Sequence, residues 1–565
     1  MRAGLVAVLG LAVASAGCGG GQRRGGRGVQ LILHGGDVWT MDPARPRART
    51  VAIDGGRVVA VGGEEVLARR GPATRVIELG GRVVLPGLVD GHAHLGGLGR
   101  SLEILALRWV ASEAAVADLV RAAAARLPAG AWIQGRGWDQ NLWTPKLFPT
   151  RASLDAAAPG SPVILRRVDG HAAWVSSEVL KRAGIDRTTA DPPGGLIERD
   201  AAGEPTGVLV DNAMELVARV VPEADDATIE RWILAGARAC LEVGLVGVHD
   251  MGVDEPTAAV YRRLAAAGKL PLRVYGFVED EQQGPRAGAA ERALAREPER
   301  GEGRFKLGGI KLYADGALGS RGAALLADYA DDPGNTGLVL TTRARIEELA
   351  RGALAHGWQI GVHAIGDRAN RDVLDAYAAV LQAAPVVRKL RWRVEHAQVV
   401  APEDLGRFGA MEVIAAMQPV HATSDMPWAE ARLGPARVRG AYAWRSILAA
   451  GGRIVGGSDF PVEEATPLAG LYAAITRQDR TGAPEGGWYP EQRMTVDEAL
   501  AAFTTAPAYA AFEEATRGRL APGFAADVTV LDAPAKSAAS LSPAHLLAAK
   551  VALTLVDGAV AFEAK

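Results

Sequence analysis

Val83-Val84-Leu85-Pro86-Gly87-Leu88-Val89-Asp90-Gly91-His92-Ala93-His94 runs from an apolar strand through a Pro-Gly turn and ends on two histidines. Residues two apart on an extended chain point to the same side, so His92 and His94 can share one ion. Four more polar side chains stand where a short apolar run gives way to a Gly-, Ala- or Ser-rich turn. They are Lys311 in Gly309-Ile310-Lys311-Leu312, His363 in Val362-His363-Ala364-Ile365-Gly366-Asp367, His396 in Val394-Glu395-His396-Ala397-Gln398 and Asp459 in Gly457-Ser458-Asp459-Phe460-Pro461. Functional groups carried on the C-terminal ends of barrel strands are spaced along a chain in this way. Six in register read as one metal cage.

The same apolar runs set the fold. Candidate strands at 83–85, 163–165, 245–248, 309–312, 359–362, 392–394, 414–417 and 454–456 alternate with helix-like stretches such as 112–126, 227–243 and 343–355. Eight βα units predict an α/β fold, a (β/α)8 TIM barrel. The barrel region, 86–505, holds roughly 420 residues, well above the ~250 typical of such barrels. Large insertions are therefore required, at 95–161 and 190–230. Short alternating strands fill 29–85, with Asp54-Gly55-Gly56 as a hairpin turn, and return in 506–565 at 527–531 and 553–558. The economical reading is one small β-sandwich built from both termini.

A length of 565 residues leaves room for a large barrel plus a satellite. The formal net charge of −2, with acids and bases interleaved, argues against a nucleic-acid patch or a basic membrane-binding face. Residues 1–18 stand apart. Arg2 gives a positive start, Leu5 to Ala14 a short apolar stretch, and Ser15-Ala16-Gly17 leads to Cys18. This is too short for a transmembrane helix and reads as a secretory signal. Small residues directly before a cysteine resemble a bacterial lipobox, with Ser15 where Leu is usual. That reading makes Cys18 a lipidated N-terminus and the protein periplasmic or membrane-anchored, touching the membrane only through its anchor; a plain cleaved signal is the rival. Residues 19–28, rich in Gly and Arg, form a flexible tether. Only Cys240 follows, so no internal disulfide is expected in the mature chain.

The string around His92 and His94 resembles the opening motif of the amidohydrolase superfamily. Lys311, His363, His396 and Asp459 follow in the order that superfamily uses, on strands four, five, six and eight. The resemblance extends from about Val29 to Val560 and is closest to amidohydrolase family 3, the group that includes N-substituted formamide deformylases. Ala314-Asp315-Gly316-Ala317-Leu318-Gly319-Ser320-Arg321 and His363-Ala364-Ile365-Gly366-Asp367 are similar to that group's signatures. The resemblance implies a hydrolase that holds one or two divalent ions, and a Lys311 carboxylated by carbon dioxide into an anionic bridging ligand. The residue types agree in part. Imidazoles and a carboxylate suit Zn2+ or a similar ion. A protonated lysine cannot ligate a cation, so Lys311 is either carboxylated or in an ordinary ion pair, with Asp315 as the candidate partner. A divalent ion lowers the pKa of the water it holds to roughly 7. Asp459 is placed to take that proton and return it to a leaving nitrogen, while the metal, aided by a nearby histidine, polarises the carbonyl.

A second tier of residues surrounds this set. His171, in Arg167-Val168-Asp169-Gly170-His171, is a candidate for contacting substrate or oxyanion, or for a structural hydrogen bond. His421 and Asp425 follow strand seven and are candidates for the substrate side, as are His249 and Asp250, for which loop structure is the stronger reading. Asp315 and Arg321 either bind substrate or brace the Lys311 loop. Asp367 and Glu395 are candidates to orient the ligands beside them. Trp132, Trp138, Trp143 and Trp174 either wall an apolar substrate pocket, Trp138 and Trp174 above all, or pack a core. His34, His356 and His545 read as surface or packing residues. The expected substrate is a small amide-like molecule: an amide, an N-formyl compound or a cyclic amide. The same barrel acting as an esterase, deaminase or isomerase is the alternative. A non-enzymatic ligand-binding lipoprotein would need damaged ligands, and all six are intact. Oligomeric state stays open, a homodimer included.

Overall fold

The computed structural model describes residues 28–565 apart from 129, 169–171, 193–194, 212, 281–287 and 535–540. The leader with Cys18, the tether up to residue 27, and His171 lie outside the described residues. Strands β1 (Leu31–Trp39), β2 (Arg47–Asp54), β3 (Arg57–Gly62), β4 (Arg75–Glu78) and β5 (Arg82–Pro86) open the chain. β6 (Leu88–Ala93) begins the barrel. An inserted layer follows, made of β7 (Leu105–Ala106), β8 (Ile133–Trp138), β9 (Val163–Arg167), β10 (Ala172–Val175), β11 (Gly195–Arg199) and β12 (Pro205–Asp211). The barrel resumes with β13 (Leu245–Val253), β14 (Arg273–Glu279), β15 (Phe305–Tyr313), β16 (Gln359–Ala364), β17 (Arg393–His396), β18 (Ile414–Met417) and β19 (Arg453–Gly456). β20 (Val528–Pro534), β21 (Val551–Val556) and β22 (Ala559–Glu563) end the chain.

The eight barrel strands are parallel and neighbour one another in sequence order from β6 to β19. First and last strands meet just past their ends: the Asp459 N–H donates to the His92 carbonyl at 2.8 Å, and the His94 N–H to that of Phe460 at 2.9 Å. Gly91 permits this approach. A Cβ there would lie 2.1 Å from a Val455 methyl and 2.8 Å from the Gly456 oxygen, closer than any side chain tolerates. The seam of the barrel is thus also where Asp459 is set beside the paired histidines. At the N-terminal end, the helix Thr505–Ala510 seats Ala506 and Ala510 against Ile414, Ala416 and Val455 and covers the bore.

Two of the eight strands predicted from sequence lie elsewhere. Residues 83–85 belong to β5, which pairs antiparallel with β20, Val84 opposite Val530, so the first barrel strand is β6. Residues 163–165 belong to β9 in the inserted sheet, whose order is β11-β12-β10-β9-β8-β7, and the third barrel strand is β14. Val163-Ile164-Leu165 looks like a barrel strand because its sheet is covered on both faces, by Val116, Val120 and Leu154 on one side and Val179, Leu180 and Val217 on the other. β14 reads poorly as an apolar run because Arg273, Tyr275 and Glu279 are polar yet buried.

Of the two readings for Trp138 and Trp174, pocket wall or core, their packing fits the core. Both are fully buried in the inserted layer, with ring centroids 6.2 Å apart and Trp143 against each. Their indole N–H groups donate to the carbonyls of Leu165 (2.8 Å) and Thr150 (2.9 Å). Each side chain buries its rings and satisfies its single donor.

Both termini share one mixed sheet of order β22-β21-β20-β5-β1-β2-β3, with β4 beside β1. It curls over on itself: the Val58 N–H reaches the Phe524 carbonyl and the Gly558 N–H that of Ala526, each at 2.9 Å. Leu33, Val51, Val84, Val530 and Leu555 fill the enclosed space. Cys240 is a buried free thiol. No helix among the described residues is long and apolar enough to cross a membrane.

Candidate metal centre

Five of the six residues expected to form the cage converge at the C-terminal mouth of the barrel. His92 ends β6, and His94 stands at the N-terminus of the helix Leu95–Glu103. Asp459 Oδ1 lies 3.2 Å from His94 Nε2 and 3.5 Å from His92 Nε2. One ligand atom each from His92, His396 and Asp459 falls within 4.8 Å of the others. The His396 ring sits 4.7 Å from that of His92 and 4.5 Å from that of His363, centroid to centroid. His396 (φ 70°) and Asp459 (φ 59°) both adopt the left-handed backbone region. That conformation is costly for side chains of this kind and is held where the surroundings over-determine it. Lys311, the sixth, is buried on β15 and makes no salt bridge among the described residues. Burial pulls its pKa down, against the pull of Glu395 and Asp459.

The donor set fits a divalent cation. His92 Nε2 is buried without a hydrogen-bond partner, while Nδ1 meets Glu395 Oε2 at 2.6 Å. His396 Nδ1 meets Gln418 Oε1 at 2.9 Å, and His363 Nε2 faces the Gly316 carbonyl at 3.4 Å. In each ring one nitrogen is anchored by an acceptor and the other is left for an ion, the usual way a protein fixes the tautomer of a metal-binding histidine. Burial, reinforced by the Lys311 charge, holds the His92 pKa far below its ordinary value and that of His363 at about 3. Both rings are therefore neutral, as ligation demands.

Charge on the substrate side is arranged differently. Burial would raise the Asp459 carboxyl, but hydrogen bonds from His421 and His94 hold it well below the ordinary range. His421 Nε2 lies 3.6 Å from Asp459 Oδ2, and Nδ1 lies 3.4 Å from Glu463 Oε1. Burial works against its protonation, but the two carboxylates carry its pKa to about 10. An ionised acceptor and a cationic donor thus flank the cage.

Beneath the cage, Arg393 is the chief residue that sequence reasoning missed. It is fully buried in the bore. Its guanidinium donates to Glu395 Oε1 (2.7 Å) and Oε2 (2.8 Å) and to the Gly91 carbonyl (2.7 Å), and it meets His249 Nδ1 at 2.8 Å. The signal was present: Trp392-Arg393-Val394-Glu395 places two opposite charges two apart on a strand, on one face. Gln418 and Glu463 carried no such mark.

For several second-tier residues the structure distinguishes between the two roles considered. Asp315 is a brace: its oxygens accept the N–H groups of Ile365 (3.0 Å), Gly366 (2.8 Å) and Ala324 (2.9 Å), which ties the loop after β15 to the end of β16. It is too enclosed for substrate, and burial pushes its pKa to about 7. Arg321 pairs with Asp331 at 2.9 Å on the same loop, again a brace. Asp367 accepts from the Leu326 N–H at 2.9 Å and bonds no imidazole among the described residues. His249 lies inside the barrel on Arg393, Asp250 accepts from the Tyr261 hydroxyl at 2.5 Å, and Asp425 accepts from Gln398 at 2.9 Å.

Known proteins share this sequence pattern and fold. Residues 75–562 match the amidohydrolase family. YtcJ of Bacillus subtilis is 33% identical over 543 residues, covering 95% of this chain and all of its own. The N-substituted formamide deformylase of Arthrobacter pascens is 28% identical over 550 residues, covering 94% and 98%. An uncharacterized metal-dependent hydrolase from Pyrococcus horikoshii superposes with a TM-score of 0.74 at 26% identity, covering 89% of this chain and 97% of its own. With the match running through barrel and terminal sheet alike, the chain belongs to the amidohydrolase family and is a metal-dependent hydrolase.

Proposed function

We propose that the protein hydrolyses non-peptide carbon–nitrogen bonds in amides, N-formyl compounds or cyclic amides, with Zn2+ as the resident ion. The observation that carries this is Asp459, ionised and within 3.5 Å of the two imidazole nitrogens of His92 and His94. His92, His94, His363, His396 and Asp459 would hold the metal, which supplies an acidified water and a Lewis acid for the carbonyl. Asp459 accepts the proton of the attacking water and delivers it to the nitrogen as the carbon–nitrogen bond breaks, releasing an amine. His421, cationic at neutral pH, donates toward the oxygen on which negative charge develops. Glu463 keeps that ring in place. The formamide deformylase among the relatives supports the choice of bond. Lys311, buried with no carboxylate paired to it, is the group to be carboxylated: its amine nitrogen bonds the carbon of carbon dioxide and a proton is lost to solvent.

The test is a screen of N-formyl amines, linear amides, cyclic amides, esters and amino-heterocycles with product identification. Release of amine from the first three classes is expected; turnover confined to esters or amino-heterocycles would overturn the reading. His92→Ala should lower bound zinc well below one equivalent, measured by elemental analysis, and unchanged stoichiometry would remove His92 from the cage. Export and lipidation at Cys18 belong to the same proposal and rest on the leader alone. Cys18→Ser is expected to move the protein from the membrane to the soluble fraction, and an unaltered distribution would reject the anchor.

A further inference from the structure

At the barrel end opposite the cage, a cavity of about 510 Å³ lies between the barrel floor and the terminal sheet. A smaller chamber of about 40 Å³ shares Arg273, Tyr275, Arg304, Lys306 and Arg517 with it. Tyr275 and Lys306 stand near the N-terminal ends of β14 and β15, whereas Lys311 lies further along β15 toward the cage.

The larger cavity is lined by six cations, Arg57, Arg273, Arg300, Arg304, Lys306 and Arg517, against four carboxylates. Two of those carboxylates are shared, Glu299 pairs with Arg262 at 2.7 Å, and Arg273 has a further partner in Asp527, on the smaller chamber, at 2.8 Å. Glu513 serves Lys306 at 2.5 Å and Arg517 at 2.7 Å, and Asp557 serves both Arg273 and Arg304. Arg300 has no carboxylate partner among the described residues: it donates to the Gly357 carbonyl at 2.6 Å and lies over the Phe512 ring. Two buried donors are left over. The Tyr275 hydroxyl, on a residue only 6% exposed, and Arg517 Nε have no hydrogen-bond partner. Burial and the neighbouring Arg273 both weaken Arg517's hold on its proton, against the pull of Glu513, Asp527 and Asp557.

We propose that this cavity is an oxyanion site for a small solute bearing a phosphate or carboxylate group, with Tyr275 and Arg517 donating from within and Arg300 from the rim. Its volume is that of an ordinary ligand pocket, and it lies at a junction between substructures, where such pockets concentrate. The donors are of the kind that recognise oxyanions, and guanidinium presents several N–H groups in a fixed fork. Water could satisfy the phenol but would leave Arg300 without a counter-charge. The inference is independent of the bond the cage hydrolyses.

Calorimetric titration of the zinc-loaded full chain with inorganic phosphate, and separately with citrate, tests the site. Saturable binding of at least one anion is expected, weakened at least fivefold by Tyr275→Phe and by Arg300→Gln, with zinc content unchanged. Arg300 is exposed, so its variant keeps the test alive should Tyr275→Phe fail to fold. Phosphate binding alone assigns the site to phosphate groups, and citrate binding alone to carboxylates. No binding of either anion would overturn the proposal. So would binding that both variants leave intact, because that anion would be sitting on the metal.

Discussion

Asp459→Asn is expected to lower kcat by about 10²–10⁴-fold, the range that a positioned general acid–base supplies. The change is isosteric, so the N–H of residue 459 still reaches the His92 carbonyl and the seam between β19 and β6 stays closed. An amide neither accepts a proton at neutral pH nor holds His421 as a cation, so both flanking charges weaken together. Zinc bound per chain should fall much less than activity, because the imidazoles of His92, His94, His363 and His396 are untouched. Steady-state kinetics with elemental analysis and circular dichroism on the same preparation makes the comparison. Retention of more than about a tenth of wild-type kcat would remove Asp459 from the proton's path.

Arg393→Met should have the largest effect on stability, about 3–5 kcal/mol, the cost of breaking a buried ion pair on one side. Glu395 would be left in the bore hydrogen-bonded to His92, with only the Lys311 amine as a nearby counter-charge, and the Gly91 carbonyl would lose a donor. Because Glu395 anchors His92 Nδ1, zinc affinity should fall by about 10–100-fold, the usual cost of disturbing a ligand's outer partner. The double variant Arg393→Met with Glu395→Leu separates these effects. It removes both charges and should recover much of the stability while zinc affinity stays low, since His92 still lacks its acceptor. Denaturant melts of the metal-free chains and zinc titrations read the two quantities. Recovery of zinc affinity in the double variant would show that Glu395 does not orient His92.

The cage was legible because its members sit at strand ends, where chemistry and periodicity coincide. Gly91-His92-Ala93-His94 and Gly457-Ser458-Asp459 stand out against the apolar runs before them. The barrel's third strand was not legible for the opposite reason: β14 buries Arg273, Tyr275 and Glu279, so its pattern is broken by polar residues, two of which, Arg273 and Glu279, are satisfied by tertiary partners. β9 misled because a two-sided inserted sheet makes the same demand for Val, Ile and Leu as a barrel wall. The tryptophans misled in another way. Residue type says that an indole needs a partner for its N–H, and here the partners are main-chain carbonyls inside a core, not a ligand. Loops resist such reasoning altogether. Asp315 and Asp367 have the composition of site residues, and only the backbone N–H groups around them reveal that they are fasteners.

The terminal sheet has a consequence for how the polypeptide comes into being. β5 pairs on one side with β1, close in sequence, but finds its other neighbour only in β20, and the Leu88 N–H meets Thr529 Oγ1 across 441 residues of sequence. A nascent chain leaving the ribosome carries β5 as an open edge through almost the whole of synthesis, because its mate is among the last segments translated. Contacts of such long range form slowly, and exposed edges invite pairing with other chains. A message cut short before codon 528 would yield a polypeptide that can never cover that edge, and holdase chaperones would be its natural custodians.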